Sequence, residues 1–275
     1  MDFLNALLTG LFDVLFLPLR PLGPWPAMIA VSLLTGGLML AVFRWTSNQA
    51  GIRRAKDLIK AHLLEIRLYR DNLGQSFRSQ GGVLAANARY FGYAVKPMLV
   101  MIVPVMLILV QLDLRFGSRA LRVGEEAMVR VRLAHGADPL TLGLEIEAPA
   151  AIAVTTPALR IPEAGEIDWR LRPARPGRET LVFRWPGGTA AKSIAVETAP
   201  LAVISGKTTS GGWLDRITHP GEKSLPRGGP IASIEIVYPE TSLGFFGIRM
   251  HWLVAYFGLS ILLGLAFKGV FKVEV

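Results

Sequence analysis

Long apolar runs alternate with polar segments along this chain. Three runs approach the roughly 20 residues that a helix needs to cross a hydrocarbon core, and they lie at residues 26–43, 91–111 and 252–267. The third run is the shortest, although the apolar residues just ahead of it extend its apolar path. The pattern predicts three transmembrane helices, at residues 25–44, at residues 91–112 and within residues 245–275, where a short tail follows the third helix.

The apolar N-terminal stretch carries a polar stripe. Asn5, Thr9 and Asp13 recur every four residues, so that they share one face of a helix. The stretch has neither a basic leader nor a small-residue cleavage site, and its first charge is Asp2. We expect residues 1–24 to form a retained amphipathic helix in the membrane interface.

Large apolar residues recur every seven positions on both sides of a short turn at residues 71–74. The first side contains good helix formers and no proline between Thr46 and Asn72. Two arms with this spacing and a short turn predict an antiparallel coiled-coil hairpin over residues 45–90. The predicted seam residues are Ile52, Ile59, Ile66, Phe77, Leu84 and Phe91.

Between the second and third runs, apolar residues alternate with polar ones. Val129 and Val131, for example, flank Arg130, and turns such as PEAGE and WPGGTAAK separate the alternating stretches. This pattern predicts an immunoglobulin-like β-sandwich over residues 113–244, inserted between the second and third spans. Residues 203–232 are rich in Gly, Pro, Ser and Thr, which indicates a long excursion or a mobile loop before the last strand.

The distribution of charge predicts an orientation. Residues 45–95 hold eight Lys/Arg and three acidic residues, and a segment this short obeys the positive-inside rule. Residues 112–250 hold 17 basic and 15 acidic residues, which constrain translocation little. We therefore expect a protein of the cytoplasmic (inner) membrane. Its hairpin and C-terminus would be cytoplasmic, and its N-terminus and β-sandwich external.

Composition and spacing offer little for catalysis. The chain has no cysteine, which excludes thiolate chemistry and a Cys-based metal site. His135 and His219 have acids nearby, Asp138 and Asp215, but without metal-ligand spacing or a nucleophile motif. We predict that the protein is not an enzyme and uses no metal or cofactor. The net charge of +9 indicates topology and membrane-surface contact rather than nucleic-acid binding.

Polar residues border the first two apolar runs. Arg44 ends the first run, Asn48 and Gln49 follow one turn later, and Lys96 lies in the second run. Snorkelling to the interface explains Lys96 without any further role. If the first span tilts, Arg44 and Asn48 face inward. These four residues are the candidates for a polar groove on the cytoplasmic side.

The order of elements, together with FRWTSNQAGIRRAKDLIKAHLLEIR, resembles the YidC/Oxa superfamily of membrane protein insertases. It is most similar to the compact three-span branch, which includes the insertase subunit of the endoplasmic reticulum membrane complex. The resemblance covers residues 1–111 and 245–275. It implies a groove, open to the cytoplasm and to lipid, in which a positive or hydrophilic residue receives the polar flank of a client. By position only Arg44 can be carried over, and the inserted β-sandwich departs from the bacterial pattern.

Two functions follow as hypotheses. The first is an insertase-like or chaperone-like protein that assists membrane protein insertion through a hydrophilic groove. Its partners would be the lipid bilayer, nascent or client membrane proteins, and a ribosome or partner subunits at the basic hairpin. The alternative is a non-catalytic scaffold subunit of a cell-envelope complex. A receptor that relays external binding to the hairpin is a third possibility.

Overall fold

The computed structural model describes residues 2–271, apart from residues 70, 213, 214, 216, 217, 219, 220, 223, 227 and 246. Only the backbone is described for residues 2–6, 245, 248, 268, 270 and 271. The chain divides into two compact units. One comprises Met1–Ala27 and Leu107–Val254, and the other comprises Met28–Met106 and Ala255–Val275.

Long helices occur at both ends of the chain. They are α1 (Asp2–Phe16), α2 (Pro24–Thr46), α3 (Gln49–Leu68), α4 (Leu73–Leu112) and α5 (Trp252–Phe271). A 3-10 helix, Leu17–Leu22, follows α1, and a π-helical turn, Asp113–Gly117, follows α4. Among the described residues, α2 and the helix that begins at Leu73 are long and apolar enough to cross a membrane, whereas α5 has a shorter apolar stretch.

The second arm of the hairpin and the second apolar run form a single helix. This helix, α4, has 40 residues and continues through Pro97 and Pro104. At a rise of 1.5 Å per residue it is about 60 Å long. The boundary predicted between residues 90 and 91 is therefore not a break in the helix.

Helices α3 and α4 pack against each other in antiparallel directions. Near the turn, the Ser76 hydroxyl donates to the carbonyl oxygen of Tyr69 at 3.0 Å. One turn further, the Ser79 hydroxyl donates to the Glu65 carboxylate at 2.8 Å. These contacts establish a helical hairpin, while its supercoiling as a coiled coil stays a prediction.

The predicted seam residues are more buried on α3 than on α4. Ile52 is fully buried, and Ile59 and Ile66 are half-buried. The three large apolar residues predicted on the α4 side are instead exposed by 69%, 72% and 62%: Phe77, Leu84 and Phe91.

Small residues form the α4 side of the hairpin contact. Ser79 and Ala86 are buried, and a Cβ atom added to Gly82 would lie only 2.7 Å from the His62 ring. At the far end, a Cβ atom on Gly51 of α3 would lie 2.8 Å from the ring of Tyr93. The two arms approach closely because these positions carry small side chains or none. The large apolar side chains of α4 are exposed and take no part in this contact.

Two antiparallel sheets form the β domain. The larger sheet has the order β3-β5-β1-β9-β8, with β4 also paired to β5. Its strands are β1 (Ala127–Leu133), β3 (Ile152–Val154), β4 (Leu159–Ile161), β5 (Glu166–Pro173), β8 (Lys207–Thr209) and β9 (Ile231–Ile236). The smaller sheet has the order β2-β6-β7, with β2 (Glu145–Glu147), β6 (Gly177–Trp185) and β7 (Gly188–Val196).

The inward residues of both sheets share one core. Val129 pairs with Trp169 on one side and with Ile236 on the other. Trp169 meets Phe183 of the opposite sheet edge-on, with ring centroids 6.0 Å apart. The arrangement is a β-sandwich, as the alternation of apolar residues predicts.

The order of the strands can be compared with an immunoglobulin constant domain, which pairs strands A, B, E and D in one sheet and C, F and G in the other. Here β1, β5 and β3 take the places of B, E and D, and β2, β6 and β7 take those of C, F and G. The place of strand A, beside B, is occupied by β9, which comes late in the chain.

The described residues of the segment 203–232 are not all loop. They include β8, which pairs with β9. Further along, Leu225 is buried, and its backbone N–H donates to the carbonyl of Thr209 at 3.0 Å. The content of glycine and proline indicated turns in this segment, but it did not indicate β8, the short strand that pairs with β9.

The apolar residues ahead of the third run do not extend its helix. The backbone of Leu243–Phe245 forms strand β10, which pairs with β11 (Ile248–Met250). Helix α5 starts only at Trp252. The predicted segment 245–275 therefore begins with a β-hairpin rather than with membrane-spanning helix.

Candidate functional site

Residues of α2, α4 and α5 that belong to one compact unit surround a partly open cavity of about 310 Å³. Its walls include Met39 and Phe43 from α2, Met101 and Val105 from α4, and Ile261 and Leu265 from α5. Because these side chains are apolar, the cavity suits hydrocarbon or apolar side chains rather than ions.

One wall of this cavity is a close contact between α2 and α5. A Cβ atom added to Gly36 would lie 3.3 Å from the carbonyl oxygen of Ser260 and 3.4 Å from the backbone nitrogen of Gly264. Small residues of this kind allow helix backbones to approach closely within a membrane. The contact fixes the spacing of the two helices.

A few hydroxyl groups interrupt the apolar lining. Tyr256 is fully buried, and Thr35 and Ser260 lie beside its hydroxyl. In the described part of the chain, the Tyr256 and Ser260 hydroxyls have no partner with good hydrogen-bond geometry. Nearby, the Ser32 hydroxyl donates to the Tyr256 carbonyl at 3.5 Å. Both oxygen atoms are themselves buried, so they lie behind the apolar surface of the cavity and are not open to a bound molecule.

None of the four predicted groove residues lines this cavity. Arg44 and Lys96 are exposed, Asn48 caps α3 by accepting a hydrogen bond from the Gly51 N–H at 2.9 Å, and the Gln49 amide donates to the Ser47 hydroxyl. Asn48 and Gln49 thus have local roles at the start of α3. A polar groove formed by these four residues stays a prediction, and the cavity between the helices is a different and apolar site.

In the other unit, Arg115 is the centre of a buried polar cluster. It lies in the π-helical turn after α4, and its side chain is 0% exposed. One terminal nitrogen donates to the carbonyl and side-chain oxygens of Gln111, at 3.1 and 2.8 Å. The other donates to the Thr9 carbonyl at 3.3 Å and to the Asp13 carboxylate at 2.8 Å. The polar stripe of α1 therefore contacts the end of α4.

Aromatic rings complete the surroundings of Arg115. The carbon of its guanidinium lies 5.8 Å from the ring centre of Phe12 and 5.4 Å from that of Phe16. Arginine above aromatic rings gains a further attraction when it is shielded from water. This contact attaches α1 to the base of the β domain.

A second buried cation lies inside the β domain. Lys192 of β7 is 0% exposed, and its ammonium donates to the Ser205 carbonyl at 2.7 Å, the Thr208 hydroxyl at 3.0 Å and the Glu222 carboxylate at 3.1 Å. Burial lowers the pKa of Lys192, and the negative charge of Glu222 opposes that shift. Glu222 also accepts hydrogen bonds from Ser193 and Thr208, so the cluster ties residues 203–232 to β7.

Sequence reasoning missed both cations, although a signal existed for one of them. Ala190, Lys192 and Ile194 occupy successive inward positions of β7, so the alternation that predicts the strand also places Lys192 inside. In the sequence, Arg115 simply follows an apolar run, as charged residues that flank a membrane span commonly do. Its burial depends on α1, which is about a hundred residues away in the sequence.

The described residues contain no cluster of three or more His, Asp or Glu side chains that could hold a metal ion. The predicted proximity of His219 to Asp215 involves a histidine outside the described residues. No family model matches the chain, and the comparisons with curated proteins and with solved structures found no similar protein or fold.

Proposed function

We propose that this protein is a membrane-embedded chaperone or insertase of the YidC/Oxa type, which holds an apolar segment of a client against the cavity between α2, α4 and α5. The observation that supports this proposal is the cavity itself, which lies between helices that are apolar along most of their length. In the proposed arrangement α5 is the third span, although its apolar stretch is short.

The size of the cavity limits what it can receive. A volume of about 310 Å³ accommodates a few side chains and not a whole helix. A client helix would therefore lay one face across the opening. Association between helices in a membrane relies on packing and on hydrogen bonds, since lipid is as apolar as the helices. Because the surface of the cavity is apolar, packing would provide the contact with a client.

The proposed orientation follows from charge. The α3–α4 hairpin carries most of the excess positive charge, which favours the cytoplasmic side, where it would meet clients, ribosomes or partner subunits. The β-sandwich would then be external. Lowering the cost of moving polar flanks through hydrocarbon needs no cofactor or nucleotide.

A scaffold subunit of a cell-envelope complex is the second candidate. It is favoured by the exposed large side chains on the outer face of the α4 arm, such as Phe77 and Leu84, since exposed apolar surface commonly marks a protein interface. The apolar lining of the cavity also fits this candidate, because no positive residue, one of the two kinds of groove residue that the insertase resemblance implies, is among its described lining residues.

An experiment at the cavity wall tests the leading proposal. Val105 lines the cavity, whereas Val103 of the same helix is 63% exposed and does not line it. Val105→Trp fills the cavity, so we expect it to lower insertion of a short-tailed model membrane protein into reconstituted vesicles by about fivefold or more. Val103→Trp is the matched control and should leave insertion unchanged.

Both variants must be compared at equal amounts of correctly oriented protein. Equal insertion by wild type and by both variants, above that of empty vesicles, would show that clients do not use the cavity. Wild-type insertion no better than that of empty vesicles would favour the scaffold instead.

A further inference from the structure

The side of the α4 arm that faces away from α3 carries an apolar stripe, called here the outer stripe. Its members are spaced alternately by four and three residues, so they line one side of the helix. All are exposed and none is charged: Phe77, Gly81, Leu84, Ala88 and Phe91. This spacing is typical of a helix that packs against a second helix. The described part of the chain does not cover the stripe.

Large and small residues alternate along the outer stripe. Gly81 and Ala88 separate its three large residues, and nothing lies within 4 Å of a Cβ atom added to Gly81. Facing helices pack densely when large residues of one meet small residues of the other. Two antiparallel helices with this alternation bring large against small in each layer, whereas two parallel helices bring like against like. The stripe therefore favours a partner helix that runs antiparallel to α4.

The charges beside the outer stripe have one sign. Helix α4 contains Arg78, Arg89 and Lys96, and it contains no acidic residue. All three cations are exposed, and their spacings of 11 and seven residues place them in a row along one side of the stripe. The other side carries uncharged polar residues, Gln80 and Asn87. The stripe is thus bordered by positive charge on one edge.

The acidic residues of the hairpin do not cancel this row. Glu65 of α3 has hydrogen bonds with His62 and Ser79, which lower its pKa, and the charge of Arg78 adds to this shift. Helix α3 as a whole holds five basic and two acidic residues, so the hairpin stays positive. A helix with acidic residues along one edge would complement the outer stripe and its row of cations.

A second copy of this chain fits the outer stripe less well than such a helix. The helix that contains the stripe is long and apolar enough to cross a membrane. Two copies inserted in the same direction, and related by an axis along the membrane normal, would have parallel α4 helices. Large residues would then meet large ones, and each Arg78 would approach the same residue of the other copy.

Lipid is also an unsuitable cover for most of the stripe. Helix α4 is continuous, and Phe77 precedes Phe91 by 14 residues, which is about 21 Å along the helix. The predicted span begins at residue 91, and the headgroup layer beside the hydrocarbon is roughly 6 Å thick. Phe77 and Leu84 would therefore lie in water beyond the membrane unless another protein covers them.

We infer that the outer stripe docks an amphipathic helix of a partner protein, which runs antiparallel to α4 and carries acidic residues beside its apolar seam. Large residues of the partner would lie over Gly81 and Ala88, and its carboxylates would meet Arg78 and Arg89. The inference rests on the proposed contact of the hairpin with partner subunits, and it specifies the chemistry of that partner. It does not involve the cavity between α2, α4 and α5, so its test and the insertion assay can fail separately.

The test uses the full-length protein in lipid nanodiscs and two synthetic helical peptides as probes. Both peptides have Leu and Ala alternating at spacings of four and three residues, and one has Glu beside this seam where the other has Lys. We expect the Glu peptide to bind at least tenfold more tightly, as measured by fluorescence anisotropy. Leu84→Asp should weaken its binding at least tenfold. Arg89→Glu should lower the preference for the Glu peptide at least fivefold.

Two positions of α3 provide matched controls. Leu68 is 74% exposed and Leu84 is 72% exposed, so Leu68→Asp tests a similar change away from the stripe. Arg54→Glu alters the net charge as much as Arg89→Glu does, also at an exposed position. Both controls should bind the Glu peptide like wild type. Equal binding of the Glu and Lys peptides, or equal binding by wild type, Leu84→Asp and Leu68→Asp, would overturn the docking site.

A single thiol tests the direction of the bound helix. The chain has no cysteine, so Gln80→Cys places one thiol beside the stripe, near the hairpin turn. It should form a disulfide with a Glu peptide that has a thiol at its C-terminus, and at least fivefold less with one that has it at its N-terminus. The opposite preference would overturn the antiparallel arrangement. A disulfide between two copies of the protein, formed without peptide, would assign the stripe to a second copy instead.

Discussion

Arg115 and Lys192 show how this protein accommodates long cationic side chains in its interior. Oxygen atoms surround both charged groups. The Arg115 guanidinium donates to carbonyl and carboxylate oxygens, and the Lys192 ammonium donates to carbonyl, hydroxyl and carboxylate oxygens. A buried ion pair adds little net stability compared with apolar residues of the same size, but the loss of one partner leaves a costly charge behind. The two cations therefore specify which segments meet, α1 with the end of α4 and residues 203–232 with β7.

Lys192 allows this reasoning to be tested on one pair. Lys192→Met leaves Glu222 with its carboxylate largely buried and without its counter-charge, since only 14% of that side chain is exposed. We expect a loss of about 3 kcal/mol in the free energy of unfolding of the β domain. The double variant Lys192→Met with Glu222→Gln should recover more than half of it.

Denaturant unfolding of the full-length protein in detergent, followed by tryptophan fluorescence, measures both effects. Lys207→Met in β8, where the lysine is half-buried, is the control and should change stability by less than about 1 kcal/mol. A double variant as unstable as the single one would show that the lost hydrogen bonds of the ammonium to Ser205 and Thr208, and not the unpaired carboxylate, cause the loss.

At the scale of single elements, the hairpin shows what a repeat in the sequence can and cannot reveal. The seven-residue spacing on α4 correctly indicates a helix that packs along one face. It does not indicate which face, because Phe77, Leu84 and Phe91 repeat with the same period as the small residues that contact α3. Burial of apolar area favours the large residues as the contact face. The structure instead uses Gly82 and its small neighbours, since a close approach of two helices needs little bulk.

Two adjacent glycines of α4 test this contact. Gly82→Leu places a side chain where even a Cβ atom would lie 2.7 Å from the His62 ring, whereas nothing lies within 4 Å of a Cβ atom on Gly81. Both substitutions improve helix propensity by about 1 kcal/mol. We expect Gly82→Leu to raise the rate of limited proteolysis within residues 60–80 about tenfold, and Gly81→Leu to leave it unchanged or lower it.

The comparison of these two variants distinguishes an effect on packing between the arms from an effect on helix propensity. If both variants resist protease like wild type, the arms are not held together by the contact at Gly82. If both become sensitive, the added apolar surface and not the clash would be responsible.

At the scale of the whole molecule, the sequence indicates the membrane-spanning lengths of α2 and α4 and the alternating core strands of the sandwich. These features are local, because hydropathy and alternation are properties of neighbouring residues. The placement of β9 beside β1, the start of α5 after a β-hairpin and the cavity between three helices depend on residues far apart in the sequence. Composition cannot reveal such contacts, and the predicted groove at Arg44 relied on position alone.

The topology itself is a prediction that reporter fusions can check. A reporter inserted between residues 71 and 76, in the hairpin turn, should be active only in the cytoplasm. One inserted at Gly187, in the turn between β6 and β7, should be active only outside, because the basic hairpin resists translocation. Fusions at residues 163–165, in another turn of the sandwich, serve as the control and should behave like those at Gly187. The reverse pattern would contradict the proposed orientation.

The contact of Gly36 with the α5 backbone has a consequence for how the cavity between α2, α4 and α5 adapts to its contents. Two walls that meet backbone against backbone cannot move closer. Away from this contact the lining includes Met39 of α2 and Met101 of α4, which are unbranched and can change their rotamers at low cost. The cavity is therefore stiff at Gly36 and compliant at its two methionines. A wider guest would be accommodated by these two side chains before α2 and α5 separate.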